Sequence, residues 1–201
     1  MSPDSKKPET DKAGLRVRLR GERRRLAIDV PDAAERAARR LPLSRFSRFR
    51  IVAAYHPQGS ELDPRPVLDA ILGFDPGFAQ AALPVAVERD APLRFRLWRP
   101  GDALIRDAAG VLSPPPSAPE VSPNLVIAPL LGFDRRGGRL GQGAGHYDRT
   151  LANLRRDRPV FVLGLAYAGQ EIDAVPRDRH DQKLDAILTE TEFLEVARER
   201  R

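Results

Sequence analysis

The stretch that decides the fold is NLVIAPLLGFDRRGGRLGQGAGHYDRTL, residues 124–151. It begins with a short apolar run, NLVIAP (124–129), whose length and flanking residues are typical of a buried strand. A glycine-rich segment follows, and the residues from about His146 to Arg156 are predicted to form a helix. A strand, a glycine loop and a helix in this order form a unit of α/β folds, so the stretch predicts an α/β protein.

Apolar runs and helical patterns alternate through the rest of the chain. Five further runs are predicted to be strands: RIVAAYHP (50–57), AALPVAV (81–87), LRFRLWRP (93–100), PVFVLGLAY (159–167) and LDAILTE (184–190). The segment PRPVLDAIL (64–72) is predicted to be a helix with proline near its start. Residues 99–124, which contain SPPPSAP, are expected to form a long irregular crossing connection between strands. We therefore predict a single three-layer α/β domain over residues 11–201, with a mostly parallel sheet flanked by helices.

The N-terminal part of the chain is predicted to contribute basic helices to this domain. Residues 1–10 are expected to be a disordered tail. The pattern from Lys12 to Leu26 is typical of a basic amphipathic helix. A second helix is predicted over DAAERAARRL, because Asp32 and Glu35 have the spacing of a capping box.

Composition excludes several classes of protein. The chain contains no cysteine, so disulfides and thiolate metal sites are excluded. No apolar run approaches the ~20 residues that a membrane helix needs, and no secretory signal is expected behind the polar N-terminus. A cytoplasmic monomer with no membrane partner is the expectation. The net charge of +6 suits either nucleic acid or a small polyanionic substrate.

The glycine loop itself suggests a phosphate site. Gly141, Gly143 and Gly145 allow the main chain to approach a ligand closely. The helix that begins at about His146 directs unpaired N–H groups and a partial positive charge into the same space, which favours phosphate. Arg139 adds a guanidinium group whose fork geometry suits phosphate oxygens.

A carboxylate, Asp148, falls in the first turn of this predicted helix. Beside a phosphate it would be repulsive unless a cation lay between them, and Mg²⁺ held by carboxylates and phosphates removes the conflict. The alternative is a simple glycine-rich turn, followed by an aspartate that the helix dipole stabilises in the first turn. The spacing is neither that of a P-loop nor that of a Rossmann fingerprint.

Three segments together resemble one family. PLLGFDRRGGRLGQGAGHYDRTL (129–151) resembles the signature of the 5-formyltetrahydrofolate cyclo-ligase family, roughly P-G-x-x-F-D-x-x-G-x-R-L-G-x-G-x-G-Y-Y-D. KAGLR (12–16) resembles its N-terminal K-x-x-L-R, and HDQKLDAILTE (180–190) resembles its H-D-x-x-x-D-x-I-x-T-E. Glu61, in the loop after the first predicted strand, also matches. The pieces occur in the expected order and span nearly the whole chain.

The resemblance implies a ligase reaction that depends on ATP and Mg²⁺. In it, 5-formyltetrahydrofolate closes to 5,10-methenyltetrahydrofolate through phosphoryl activation of the formyl oxygen, with release of ADP and phosphate. Such a transfer depends mainly on positioning and on neutralising charge. Arg139 is the implied catalytic residue.

The resemblance also implies ligand-binding residues at matching positions. The ATP-binding residues would be Lys12, Arg16, Arg139, Leu140, Gly141, Gln142, Gly143, Ala144, Gly145, His146 and Tyr147. The folate-binding residues would be His56, Glu61, Gln142, Gly143, Ala144, Gly145 and His146. The ligands of Mg²⁺ would be Asp148 and Asp185. His180 and Asp181 are given no role.

The sequence departs from the family pattern at two places. His146 stands where many members have tyrosine, and Gln142 and Ala144 stand where some members have a basic residue.

Two alternative functions come from other classes of protein. The arginine-rich first 50 residues suggest a nucleic-acid-binding protein, although RNP, zinc and interleaved aromatic signals are missing, so nucleic acid is not the expected partner. Another α/β nucleotide- or sugar-phosphate-binding enzyme is the second alternative, since one fold serves many reactions.

Overall fold

The structure is a computed structural model that describes residues 12–88 and 90–197. The predicted tail, residues 1–10, lies outside the described residues. The helices are α1 (Lys12–Asp29), α2 (Ala33–Arg40), α3 (Arg65–Phe74) and α4 (His146–Asp157), with 3₁₀ turns at Leu43–Arg45 and Ala168–Gln170. The strands are β1 (Ile51–Ala53), β2 (Gln80–Val85), β3 (Arg94–Leu97), β4 (Ile105–Arg106), β5 (Leu112–Ser113), β6 (Glu120–Val121), β7 (Leu125–Pro129), β8 (Gly132–Phe133), β9 (Arg139–Leu140), β10 (Phe161–Leu165), β11 (Ala186–Leu188) and β12 (Phe193–Glu195).

Eight strands form the central sheet, in the order β12-β11-β10-β7-β1-β2-β3-β6. The five central strands, from β11 to β2, pair in parallel. Strands β12, β3 and β6 pair antiparallel at the two edges. The predicted α/β fold with a mostly parallel sheet is therefore confirmed.

The central strands are apolar because both of their faces are covered, as parallel sheets require. Val52, Ile127 and Leu163 pack on one face with the buried residues of α2 and α3. The opposite face packs against α4, where Leu151 is fully buried. Helix, sheet and helix thus form the three predicted layers.

Helix α1 lies outside these layers, against the 3₁₀ turn Ala168–Gln170 and the β8–β9 hairpin. Leu19 is buried there with Leu131 and Leu140, whereas Val17 is 68% exposed. The predicted helix forms with Leu19 on its buried face, but its apolar and polar sides are not sharply separated, since Arg23 is buried as well and Ile28 is exposed. None of the described helices is long and apolar enough to cross a membrane.

The structure corrects two details of the sequence-based prediction. Asp32 precedes α2 but makes no capping hydrogen bond, because its φ of −94° and ψ of 14° differ from the extended backbone of a capping residue. Residues 99–124 are not wholly irregular, since they contain the β4–β5 hairpin and β6. These two-residue strands are too short to give a periodic signal.

The topology gathers three segments at one edge of the sheet. The glycine loop follows β7 through the β8–β9 hairpin and leads into α4. The segment 56–64 follows β1, which is parallel to β7 and adjacent to it. Both segments therefore lie at the carboxyl ends of parallel strands, where open α/β sheets bind ligands. Helix α1 contacts the glycine loop at the same edge.

Candidate active site

A cavity of about 490 Å³ opens at the carboxyl edge of the sheet. Of all the predicted site residues, Asp185 alone does not line it. The cavity-lining residues that the sequence predicted are Lys12, Arg16, His56, Glu61, Arg139, Leu140, Gly141, Gln142, Gly143, Ala144, Gly145, His146, Tyr147 and Asp148. Segments far apart in the sequence thus converge on one space.

The start of α4 presents unpaired donors to this cavity. Gly145 is the N-cap, and its φ of +68° is in the left-handed region that favours glycine. The cap makes no side-chain hydrogen bond, and the first helical bond runs from Arg149 N to Gly145 O at 3.1 Å. Within the described parts of the chain, the N–H groups of residues 145–148 donate no hydrogen bond. Such a helix start attracts anions, above all phosphate.

Arg139 is a buried cation beside this helix start. Its side chain is 4% exposed, and its Nη2 donates to Asp148 Oδ1 at 2.9 Å. The guanidinium carbon lies 5.4 Å from the centre of the Tyr147 ring. Its Nε is buried without a hydrogen-bond partner among the described residues. A buried unpaired donor on a cation is costly and suits an anionic ligand.

Two arginines of α1 also contact the glycine loop. Arg16 Nε donates to the carbonyl oxygen of Gly141 at 3.0 Å. Arg20 Nε donates to Gln142 Oε1 at 2.9 Å. The sequence analysis did not single out Arg20, because nothing distinguishes it from the other arginines of α1 until the loop partner is known.

Lys12 is held by carboxylates that the sequence analysis left without a role. Its Nζ lies 2.6 Å from Asp178 Oδ2 and 3.2 Å from Asp181 Oδ2. Burial by itself lowers the pKa of Lys12, but the hydrogen bonds and charges of the two aspartates outweigh it and raise that pKa. Lys12 is therefore a fully charged ammonium group in the cavity lining.

Glu61 lines the same cavity, and both of its carboxylate oxygens accept hydrogen bonds. Arg23 Nη1 lies 3.4 Å from Glu61 Oε1, and the two side chains are 7% and 9% exposed. Gln58 N donates to Oε2 at 3.0 Å. Arg23, the partner of Glu61, is the residue near the cavity that sequence reasoning missed most clearly. Its position four residues after buried Leu19, on the same helix face, is the signal that could have found it.

Two tyrosines, Tyr55 and Tyr147, line the cavity near Glu61, whose charge acts on both. Burial is the main cause that raises the pKa of Tyr55 and of Tyr147, and the negative charge of Glu61 adds to it in both cases. Tyr55 donates its hydroxyl hydrogen to the carbonyl oxygen of Leu62. Both phenols therefore stay protonated, and they give this part of the cavity aromatic walls.

The two histidines differ in how they are held. His146 is in the first turn of α4, and its Nδ1 lies 3.1 Å from the carbonyl oxygen of Ala91. Because a carbonyl oxygen can only accept, Nδ1 carries the hydrogen of this bond, which fixes the orientation of the ring. His56 follows β1 and lines the cavity as a half-buried side chain.

Asp185 is separated from Asp148. It precedes β11, and its Oδ2 accepts hydrogen bonds from Val162 N at 2.9 Å and from Arg155 Nη2 at 2.8 Å. It therefore lies at the amino edge of the sheet, in a different depression from the main cavity. The described residues contain no cluster of three or more His, Asp or Glu side chains suited to a metal. The structure does not bring the two predicted metal ligands together.

Comparison with known proteins gives a consistent result. Residues 8–190 match the sequence model of the 5-formyltetrahydrofolate cyclo-ligase family. A Mycolicibacterium smegmatis protein named 5-formyltetrahydrofolate cyclo-ligase is 32% identical over 196 residues, which are 94% of this chain and 95% of that protein. The Escherichia coli K12 protein of that name is 30% identical over 149 residues, 72% of this chain and 80% of its own.

Solved structures give the same answer for the fold. The NMR structure of Aquifex aeolicus 5,10-methenyltetrahydrofolate synthetase superposes with a TM-score of 0.76 at 25% identity, covering 94% of this chain and 95% of that one. A likeness over nearly the whole of both chains extends from the sheet to the segments that line the cavity.

Proposed function

The chain belongs to the 5-formyltetrahydrofolate cyclo-ligase family, and from this premise we propose that it uses ATP and Mg²⁺ to close 5-formyltetrahydrofolate to 5,10-methenyltetrahydrofolate. ADP and phosphate are the other products. One observation carries the proposal. One cavity is lined by a helix start with unpaired N–H groups, by a buried arginine that pairs with Asp148, and by a glutamate that pairs with buried Arg23.

The chemistry requires activation of a poor leaving group. The formyl oxygen attacks the γ-phosphorus of ATP, the bond from that phosphorus to the bridging oxygen breaks, and ADP leaves. N10 of the folate then attacks the formyl carbon and loses its proton, while the carbon–oxygen bond breaks and phosphate departs. Such steps gain most from fixed donors that neutralise negative charge.

The phosphates of ATP are assigned to the glycine loop and the start of α4. The unpaired N–H groups of residues 145–148 supply donors, and Arg139 supplies a buried cation with an unused Nε. Arg16 steadies the loop through Gly141. Lys12 is placed to meet a phosphate if the nucleotide displaces Asp178 or Asp181 from its ammonium group.

The folate is assigned to the part of the cavity near Glu61. Glu61 is a buried carboxylate whose charge Arg23 balances, and a carboxylate suits the N–H donors of a pterin ring. Tyr55 and Tyr147 provide flat aromatic surfaces beside it. His56 and the loop residues 142–146 line the same cavity, and we assign them to the region where the formyl group and the γ-phosphate would meet.

Asp148 fits a role in holding Mg²⁺. One carboxylate together with phosphate oxygens and waters is a common Mg²⁺ site, and Asp148 Oδ2 has no hydrogen-bond partner among the residues described. The ion would supply charge neutralisation at the phosphates. Asp185 does not fit the same site, because Arg155 and Val162 occupy its Oδ2 at the amino edge of the sheet.

A spectroscopic assay tests the proposal. Purified protein with 5-formyltetrahydrofolate, ATP and Mg²⁺ should develop the methenyl chromophore in the near ultraviolet, and release of one phosphate should accompany each product. Omission of ATP or chelation of Mg²⁺ should abolish both signals. Salt-sensitive RNA binding without product would favour a nucleic-acid role instead. The cytoplasmic location and the monomeric state stay predictions.

A further inference from the structure

Arg149, in the first turns of α4, is a residue that neither the sequence analysis nor the proposed reaction uses. Its Nη2 donates to the carbonyl oxygen of Ala144 at 2.8 Å. Ala144 and Gly145 line the cavity, whereas Arg149 lies behind the loop, outside the lining. The contact therefore draws the Ala144 carbonyl away from the cavity.

The direction of that carbonyl fixes the direction of the next N–H. The peptide unit between Ala144 and Gly145 is trans and planar, so its C=O and N–H point to opposite sides. With the carbonyl held behind the loop by Arg149, the N–H of Gly145 is turned toward the cavity. That N–H is the first of the unpaired donors at the start of α4.

The positive φ of +68° explains why residue 145 is glycine, and Arg149 packs closely against this residue. A Cβ built on Gly145 would lie 2.7 Å from Arg149 Nη1. A side chain there would meet both the guanidinium group and the penalty of a positive φ. Glycine thus allows the arginine to lie flat against the N-cap.

The arrangement is electrostatically unfavourable unless an anion binds. The N-terminus of a helix carries a partial positive charge, and a cation beside it is repelled. Arg149 Nε is buried without a hydrogen-bond partner in the described parts of the chain. The only carboxylate of the first helical turn, Asp148, already pairs with Arg139. The excess positive charge on this side of the loop suits a phosphate group.

We propose that Arg149 is a positioning residue for the nucleotide, which keeps the Gly145 N–H turned into the cavity and adds positive charge behind the phosphates. This inference rests on the proposed function, because it takes the triphosphate of ATP as the anion. It predicts that Arg149 affects nucleotide binding and leaves folate binding largely unchanged.

The experiment compares Arg149→Gln and Arg149→Lys with Arg156→Gln, a matched control at an exposed position of the same helix. ATP binding with Mg²⁺ is measured by calorimetry, and the KM values for ATP and for 5-formyltetrahydrofolate are measured by product formation. For Arg149→Gln we expect about a 10-fold weaker ATP affinity, as for loss of one charge-assisted hydrogen bond. The folate KM should change less than twofold, Arg149→Lys should be intermediate, and Arg156→Gln should match the original protein.

A double-mutant cycle separates positioning from a general loss of structure. Gly145→Ala should weaken ATP binding too, and the combination with Arg149→Gln should add little, because both changes release the same peptide. Fully additive effects, or an unchanged ATP affinity in Arg149→Gln, would overturn the inference about Arg149. If the unmodified protein still forms the product, the proposed function stands in that case. If Gly145→Ala does not fold, Arg149→Lys and Arg149→Gln decide alone. An unmodified protein that binds no ATP overturns both proposals.

Discussion

Arg139 and Asp148 form an ion pair of 2.9 Å at the junction of β9 and α4. Asp148 Oδ1 accepts a second hydrogen bond from Gln182 N at 3.1 Å. The pair thus fixes both side chains. In the described parts of the chain, Arg139 Nε has no hydrogen-bond partner, and both hydrogen bonds that Asp148 accepts go to Oδ1, not Oδ2. One free donor and one free acceptor, held side by side, suit a phosphate and its counter-cation.

Arg139→Ala should lower kcat by ~10²–10³, because one preorganised donor to the developing charge is lost. The measurement is methenyl formation at saturating ATP and folate. Arg139→Lys keeps the positive charge but loses the paired N–H donors of the guanidinium group, so its kcat should lie between those of Arg139→Ala and the unmodified protein. A kcat near that of the unmodified protein in Arg139→Ala would contradict the catalytic assignment.

Asp148→Asn and Asp185→Asn should behave differently toward Mg²⁺. Asp148→Asn removes the negative charge beside the phosphates, so the Mg²⁺ concentration for half-maximal rate should rise by about 10-fold or more, a loss of roughly 1.4 kcal/mol of binding. Asp185→Asn removes the negative charge that pairs with Arg155 but keeps an acceptor oxygen for Val162 N, so it should lower the free energy of unfolding modestly while leaving that Mg²⁺ concentration unchanged. The rate is measured over a Mg²⁺ titration. Equal shifts in both variants would restore Asp185 as a ligand.

Arg23→Gln should reduce both stability and folate affinity, since it leaves Glu61 as a buried carboxylate without its cation. Breaking such a pair costs roughly 3 kcal/mol, measurable by urea unfolding. The KM for 5-formyltetrahydrofolate should rise while the KM for ATP stays near its original value. Arg24→Gln, at the exposed neighbouring position, is the control. A similar loss in both variants would show that Arg23 contributes no more than surface charge.

The sequence predicted those parts of the fold whose signal is local. Strands β7 and β10 are continuous apolar runs, and α4 begins where the glycine loop ends, so each could be predicted from a few neighbouring residues. Strands β8 and β9 have two residues each, and their pairing depends on contacts that no short pattern reveals. Strand β12 is equally hidden, because only its antiparallel pairing with β11 defines it.

The site was predictable where one motif contains it and not where the fold assembles it. Residues 139–148 are continuous in the sequence and line one cavity. Arg23 and Asp178 reach that region from distant segments, and a single sequence gives no measure of such proximity. Asp185 shows the opposite case, since its position in a matching motif predicted a metal ligand, whereas the structure places it at the amino edge of the sheet, apart from Asp148.

The tyrosines should resist alkaline titration until the protein unfolds. The chain has three tyrosines, and burial is the main cause that raises the pKa of Tyr55, Tyr147 and Tyr167. A raised pKa in the folded state contributes stability that is constant below about pH 10, the unfolded value, and is lost as the pH rises above it.

The measurement is tyrosinate absorbance against pH, with the urea-unfolded chain as control. The control should titrate near pH 10. The folded protein should show clearly less tyrosinate than the control at that pH, and then a cooperative rise together with loss of the far-ultraviolet circular dichroism. A gradual titration in a protein that stays folded would show that the phenols are accessible to water.

Gly137→Ala should be far more destabilising than Gly110→Ala, although both glycines have a positive φ, +82° and +78° respectively. Alanine in that backbone region costs about 1–2 kcal/mol at either position. At Gly110 a Cβ meets nothing within 4 Å, whereas at Gly137 it would lie 2.8 Å from the carbonyl oxygen of Leu184. Gly137 O also accepts a hydrogen bond from Leu184 N at 3.0 Å. Any movement that relieves the clash therefore weakens the link between the β8–β9 hairpin and β11.

The measurement is urea unfolding of both variants. We expect the free energy of unfolding to fall more for Gly137→Ala than for Gly110→Ala, by roughly 1–3 kcal/mol, the usual cost of overpacking. Equal losses would mean that the hairpin that carries Arg139 is free to move away from β11.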